Sequence, residues 1–253
     1  MIEKNISGAQ LISHDKRGGR KYWVPETDKF FIKVLSNNSF QYENVRRLIS
    51  LCPKPRHIVD IGTNLAQNVI EYATFCSKVT GFEPTPFIFE CAVANVEENR
   101  HLYPNAEITI HPVALGEKSG TIALAMHTNN VGKNYLISDT GTRKNTVSVD
   151  IKTLDSYNLE NVDLIKIDVE GYELYVLRGS ENTIMRDRPF IQTEILIEHC
   201  TRAGYTPQYL QNWFNERDYV RTLKNGNVIS GKEYQHFTGD SFWVPREKIT
   251  IFE

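Results

Sequence analysis

Four acidic side chains close short apolar runs in this sequence, where a sheet would deliver them to a single edge. Asp60 follows Ile58-Val59, and Glu83 closes the run that starts at Lys78. Asp168 ends Val162-Asp-Leu-Ile-Lys-Ile, and Glu194 ends the run from Phe190. Open α/β sheets bind their ligands outside the carboxyl ends of the strands, so these residues mark one candidate site. The stretch Arg56–Gln67, RHIVDIGTNLAQ, breaks at Asp60, Gly62 and Asn64 and continues as an amphipathic segment. Strand, tight turn and helix together bring backbone N–H groups up to a polar ligand. Gly62 can take backbone angles closed to other residues and lets a ligand come close to the main chain. Glu83 lies twenty-one residues beyond Gly62, the spacing at which an acid reaches ribose hydroxyls. A nucleoside-containing cofactor is the reading that joins these features; the competing one is an ordinary turn with a surface acid. Thr63, Asn64, Leu65 and Ala66 follow Gly62, so the G-x-G-x-x-G run that cradles a pyrophosphate is absent. NAD is therefore disfavoured, and a cofactor without phosphate, such as S-adenosylmethionine, fits better.

The second chemical stretch is Leu164-Ile-Lys-Ile-Asp-Val-Glu-Gly171. Strand alternation puts Lys166 on the same face as Asp168. A lysine in a central strand is costly unless paired. A structural Lys–carboxylate pair accounts for these residues as well as a functional role does. Glu194 is the natural partner of Lys166, or a second carboxylate facing Asp168.

The elements that must position these groups alternate in type. Strands are expected at Lys78–Phe82, Ile108–Leu115, Thr121–Met126, Thr146–Ile151, Val162–Asp168 and Phe190–Glu194, and helices at Leu65–Ser77, Pro86–Asn99, Glu173–Arg186 and 207–217. Tyr219–Lys224, the turn Asn225-Gly226 and Asp240–Val244 read as a closing antiparallel hairpin. Alternating βα units imply an α/β fold with a mostly parallel sheet covered on both faces. Residues 1–55 read as a cap or lid segment before a main domain at 56–253. Within it, Phe30–Leu35 looks extended and Tyr42–Leu51 helical, and His14–Lys21 is a basic loop that is more simply a solvated one.

Composition narrows the partners. A formal net charge of -2 offers no global attraction to nucleic acid, and the chain has no apolar run long enough to span a membrane. The amino terminus lacks a signal-peptide pattern. The four cysteines are scattered without a C-x-x-C pair, so neither a disulfide framework nor a zinc site is expected. The chain reads as cytoplasmic.

VDIGTN (59–64), GFEPTP (81–86), PVALGEKSGTIAL (112–124), NNVG (129–132), VDIKTLDS (149–156), VDLIKIDVEGYELYVLRGS (162–180) and RPFIQTEI (188–195) resemble the FkbM family of methyltransferases. The resemblance covers about 56–200, and KIDVEGYELYVLRG is its most specific block. It implies a Rossmann-like class I methyltransferase fold, with a mostly parallel seven-stranded sheet and a C-terminal antiparallel hairpin. It also implies S-adenosylmethionine as cofactor and O-methylation of a hydroxylated sugar or small metabolite. By position, Asp60, Gly62 and Asn64 would line the methionine end of the cofactor. Glu83 would hold the ribose, Val113 and Ala114 would flank the adenine, and Asp168 would stand near the transferred methyl group, with Glu170 and Glu194 behind it. Ala66 departs from the family pattern, which has glycine there, and implies a less close approach of backbone to ligand. A hydroxyl acceptor must lose its proton to a nearby carboxylate or histidine. Asp168 is the first choice for that base and His199 the second. No resident metal is expected, although a divalent ion bridging Asp168 and Glu194 is an alternative. The rival readings are a cofactor-binding module without catalysis and a nucleic-acid methyltransferase.

Overall fold

The computed structural model describes residues 6–14, 19–36, 45, 48, 50, 52, 54–137, 145–222 and 239–252. Most of the expected helix Tyr42–Leu51, the turn Asn225-Gly226 and part of the basic loop at 14–21 lie outside them.

An antiparallel hairpin, β1 (Ala9–His14) with β2 (Arg20–Pro25), precedes helix α1 (Lys29–Ser36). Then come β3 (His57–Ile61), α2 (Gln67–Tyr72), β4 (Lys78–Phe82), α3 (Pro86–Glu98) and β5 (Glu107–His111). Four short strands follow: β6 (Ala114–Leu115), β7 (Gly120–Ala125), β8 (Tyr135–Ile137) and β9 (Thr146–Lys152). The alternation resumes with β10 (Val162–Ile167), α4 (Glu173–Arg178), α5 (Glu181–Asp187) and β11 (Phe190–Ile195). Helices α6 (Ile197–Arg202) and α7 (Pro207–Asn215) and strands β12 (Tyr219–Thr222) and β13 (Gly239–Pro245) complete it.

The main sheet has seven strands in the order β12-β13-β11-β10-β3-β4-β5. β3, β4, β5, β10 and β11 are parallel, and β13 runs antiparallel to both β11 and β12. The expected architecture is present, with one addition: the final strand inserts between β11 and β12 rather than at the edge. The central strand β3 is buried at all five positions, as a strand covered on both faces should be. Its alternate residues feed two cores. Ile58 joins Val69, Ile70 and Ala92 on one face, and Val59 and Ile61 join Ile165, Leu174 and Trp213 on the other.

The amino-terminal hairpin belongs to the first of these cores through Tyr22, Trp23 and Val24. Asn95 and Asn99 on α3 hold it by its backbone: Asn99 Nδ2 donates to Lys21 O at 2.7 Å, and Asn95 Nδ2 to Trp23 O at 3.1 Å.

Four local expectations are corrected. Phe30–Leu35 is helical, because the Asp28 carboxylate accepts the Phe31 N–H at 2.9 Å and Phe31 and Leu35 fall on one buried face. The helix after the glycine turn runs only from Gln67 to Tyr72. The helix expected at Glu173–Arg186 breaks at Gly179, where a Cβ would lie 1.9 Å from the Gly116 carbonyl oxygen. The strand expected at Ile108–Leu115 is divided. Its first part is β5 in the main sheet, and Ala114–Leu115 enters a second, four-stranded sheet with β7, β8 and β9.

Candidate active site

From β3 the chain passes to β4 and β5 on one side, and from β10 to β11 on the other. The switch point between β3 and β10 is where such sheets open a crevice. The loops leaving these two strands interlock. Asp168 N donates to Ile61 O at 3.0 Å, and Gly62 has φ +83°, with a would-be Cβ only 1.9 Å from the Asp168 carbonyl oxygen. Gly62 is thus required first by the neighbouring loop; it lines the crevice as well.

Two clefts meet there. The first, about 540 Å³ including its mouth, is lined by Gly62, Asn64, Glu83, Val113, Ala114, Asp168 and Glu170, seven of the ten site residues expected from sequence. The Glu83 carboxylate sits at its edge, accepting the Asn64 N–H on one oxygen and the Thr85 N–H on the other, both at 2.9 Å. The Thr85 side chain bonds to it as well, and the carboxylate keeps acceptor capacity for a ligand hydroxyl. Burial raises the Glu83 pKa, while the backbone donors of Thr85 and Asn64 work against that rise. Phe82, Leu115, Leu124 and Leu136 supply an apolar wall. Among the described residues lining this cleft there is no Lys, Arg or His, whereas three carboxylates are present. This donor set fits S-adenosylmethionine, which brings a diol, a flat base and a cationic centre but no phosphate. Glu83 would hold the ribose, the apolar wall the adenine, and Asp168 would face the cation.

The second cleft is wider, about 1410 Å³ with its mouth, and shares Gly62, Asn64, Gly132, Asp168 and Glu170 with the first. Phe30, Phe31 and Val34 of α1 form one wall, Asn130 and Lys133 another, and Gln67 and Asn68 a third. The first two walls are tied together by Asp28, fully buried, whose second oxygen accepts the Val131 N–H at 2.8 Å.

Charge is concentrated at the junction. Lys166 is buried between Asp60, at 3.5 Å, and Asp168, at 3.4 Å; Glu194 is not its partner. Burial opposes the Lys166 charge, but Asp168 and Asp60 raise its pKa, so the ammonium is kept. Asp60 is fully buried, and desolvation lifts its pKa to about 6 against the pull of Lys166. It lies behind the loop rather than on the cleft wall and acts on the site through Lys166. Glu170 and Glu194 flank Asp168, and one oxygen from each of the three can lie within 4.8 Å of the others, an arrangement open to a cation. Burial and these neighbours raise Glu170 to about 8 and Glu194 to about 7. His199 lines neither cleft. Its Nε2 stands 3.4 Å from the Glu170 carboxylate, and burial followed by Arg202 lowers its pKa.

Ala66 also lines neither cleft; it caps α2 in the left-handed region, with φ 63° and ψ 21°. The glycine of the family pattern is explained here by backbone angle, not by approach to a ligand. Sequence reasoning missed Asp28, Phe30, Gln67 and Asn68. An acid just ahead of an apolar run is a helix-start signal that points to Asp28; nothing local marks the others.

Comparison with known proteins identifies the family. The family model described as methyltransferase FkbM domain matches residues 60–221. "Methyltransferase 1" of Beauveria bassiana is 27% identical over 178 residues, covering 60% of this chain and 68% of that protein. "Hexuronic acid methyltransferase AglP" of Haloferax volcanii is 27% identical over 176 residues, covering 68% and 66%. "2-O-methyltransferase NoeI" of Sinorhizobium fredii is 29% identical over 172 residues, covering 59% and 67%. The chain thus spans about two thirds of the length of each curated relative. A crystal structure of methyltransferase FkbM from Methylobacillus flagellatus aligns with a TM-score of 0.49 and 17% identity, over 75% of this chain and 44% of that one. With more than half its length matched by the family model, across the glycine turn, the narrow cleft and the KIDVEG block, the chain belongs to the FkbM family of S-adenosylmethionine-dependent methyltransferases.

Proposed function

We propose that this methyltransferase methylates a hydroxyl of a sugar or similar small metabolite, with Asp168 receiving the acceptor proton. One observation carries the reading: Asp168 and Glu170 line both clefts, so a group in the wide cleft meets the contents of the narrow one at a carboxylate. The methionine end of the cofactor would lie against Gly62 and Asn64, and its adenosine between Glu83 and the Val113–Ala114 wall. When bound, S-adenosylmethionine supplies a methyl group carried on a sulfonium. The protein aligns the acceptor oxygen with it, and alignment of this kind can provide roughly 7–11 kcal/mol of a barrier. Lys166 holds Asp168 in place from below. Glu170 and Glu194, both held toward neutrality, keep the surrounding carboxylates from repelling one another while the proton arrives. His199 orients Glu170 rather than touching the acceptor.

A sugar acceptor agrees with the relatives named for hexuronic acid and for 2-O-methylation. The test is Asp168→Asn, assayed by transfer of labelled methyl from S-adenosylmethionine to a panel of glycosides and phenols. Turnover falls by two orders of magnitude or more, with S-adenosylhomocysteine affinity retained. Unchanged turnover removes Asp168 from the role.

A further inference from the structure

The wide cleft carries polar atoms that the fold leaves unused. Gln67 is 4% exposed, and its Nε2 has no hydrogen-bond partner; on the next residue, Asn68 Oδ1 has none either. Both residues line the wide cleft beside Asp168, Glu170 and Glu194, and both open α2 directly after the glycine turn. A buried polar group without a partner costs about 1–3 kcal/mol, so two in succession at the wall of a cleft point to a ligand that completes them. One is a donor and its neighbour an acceptor. A hydroxyl group satisfies both kinds, and two adjacent hydroxyls satisfy this pair. The rest of the wall has the same mixed character, with the ammonium of Lys133 on one side and carboxylates on the other. Phe30 lines the cleft with half its surface exposed, in a T-shaped pair with Phe31 at 5.4 Å, and so has apolar ring surface free for a ligand. A flat aromatic acceptor would fill an apolar slot; this cleft has one apolar wall, from Phe30, Phe31 and Val34, facing two polar ones.

We propose that Gln67 and Asn68 form an acceptor subsite that reads adjacent hydroxyls of a saturated, polyhydroxylated ring, with Phe30 covering its C–H face. The inference rests on the sugar-acceptor reading above and names the residues that recognise the ring. None of the three is among the residues assigned to the cofactor or to proton transfer.

The experiment is ligand-observed saturation-transfer NMR on the whole chain with saturating S-adenosylhomocysteine. The probes are methyl β-D-glucopyranoside, methyl β-D-glucuronide and catechol. Ring protons of at least one glycoside should be saturated. The signal should fall at least five-fold in Gln67→Glu, which replaces the donor by an acceptor of the same size. It should persist in Asn68→Asp, which keeps the acceptor, and weaken in Phe30→Ala. S-adenosylhomocysteine affinity, measured by calorimetry, should stay within two-fold in all three variants, which also reports that they fold. Saturation of catechol alone, equal signals in Gln67→Glu and the unsubstituted chain, or silence from both glycosides at millimolar concentration would each overturn the subsite. Equal signals would leave the sugar reading standing. Failure of the unsubstituted chain to bind S-adenosylhomocysteine is a different outcome and overturns the cofactor reading on which the proposal rests.

Discussion

Ala66 shows how a single residue separates stability from binding. A left-handed conformation costs an L-residue with a side chain about 1–2 kcal/mol, and glycine avoids most of that. Ala66→Gly should therefore stabilise the protein by about 0.5–1 kcal/mol, after the greater freedom of glycine in the unfolded chain is set against it. Cofactor affinity should not change, since Ala66 lines neither cleft. Denaturant unfolding and calorimetry check the two halves. Glu83 is the reverse case. Its carboxylate is available for the ribose while it holds the Asn64 and Thr85 amides. Hydrogen bonds to a charged group contribute about 1.5–3 kcal/mol, so Glu83→Ala should weaken S-adenosylhomocysteine binding by roughly 10–100-fold. The carboxylates at the junction give a pH dependence with a definite sign. Glu170, raised to about 8, and Glu194, raised to about 7, hold protons in the folded chain that the unfolded chain has already released. Their contribution to stability is complete below the unfolded value of about 4.3 and is lost as pH rises through the folded values. The melting temperature of the ligand-free protein should accordingly fall between about pH 5 and pH 8. The Glu170→Gln, Glu194→Gln pair should flatten that slope, and a variant as steep as the parent would show that these residues do not set it.

At the level of elements, the wide cleft depends on a latch between segments far apart in sequence. Asp28 caps α1 and also holds the Val131 amide, and Phe30 N donates to Asn129 O at 3.4 Å. Removing the carboxylate leaves two buried amides unpaired. Asp28→Ala should cost about 2 kcal/mol or more and speed hydrogen exchange at Phe31 and Val131 together. Exchange that rises at one amide alone would mean the two walls are held independently. A second contact between elements lies at Gly179, which lets the α4–α5 break approach the Gly116 backbone at the edge of the four-stranded sheet. A side chain there has no space, and overpacking of this kind costs about 1–3 kcal/mol. Gly179→Ala should lower the unfolding free energy by that amount, read from denaturant unfolding, without touching either cleft.

Over the whole molecule, the cofactor cleft draws on β3, β4, the small sheet's β6, β7 and β8, and the loops beyond β5 and β10, so its occupant bridges both halves of the main sheet. A ligand that binds only the folded chain stabilises it by about 2.7 kcal/mol at one hundred times its dissociation constant. For a chain of this size that is a rise of roughly 5–10 °C in melting temperature. S-adenosylmethionine and S-adenosylhomocysteine should both produce it and NAD should not, because the described residues lining the cleft include no cation to meet a pyrophosphate. Among the described residues no helix is long and apolar enough to cross a membrane, and the net charge of -2 gives nucleic acid no general attraction.

The sequence by itself determined the parts whose physics is local. Short apolar-rich runs alternating with amphipathic segments give a mostly parallel sheet, because strands buried on both faces read that way. The acid at the end of each run fixes which edge carries the site. That much placed Gly62, Asn64, Glu83, Val113, Ala114 and Asp168 around one cleft from spacing and resemblance. The tertiary structure decided what depends on contacts between distant segments. Asp60 and Asp168 share Lys166 because β3 lies beside β10, with Lys166 opposite Asp60 in register, and no periodicity within either strand reports that pairing. The division of the strand expected at Ile108–Leu115, and the small sheet that its second part joins, follow from β9 pairing across a long insertion. Gln67 and Asn68 stand in an ordinary first helical turn; only the closure of α1 and the Asn130–Lys133 turn over them makes that turn the wall of a cleft. Strand burial is written into each run of residues, whereas a cleft belongs to the space between them.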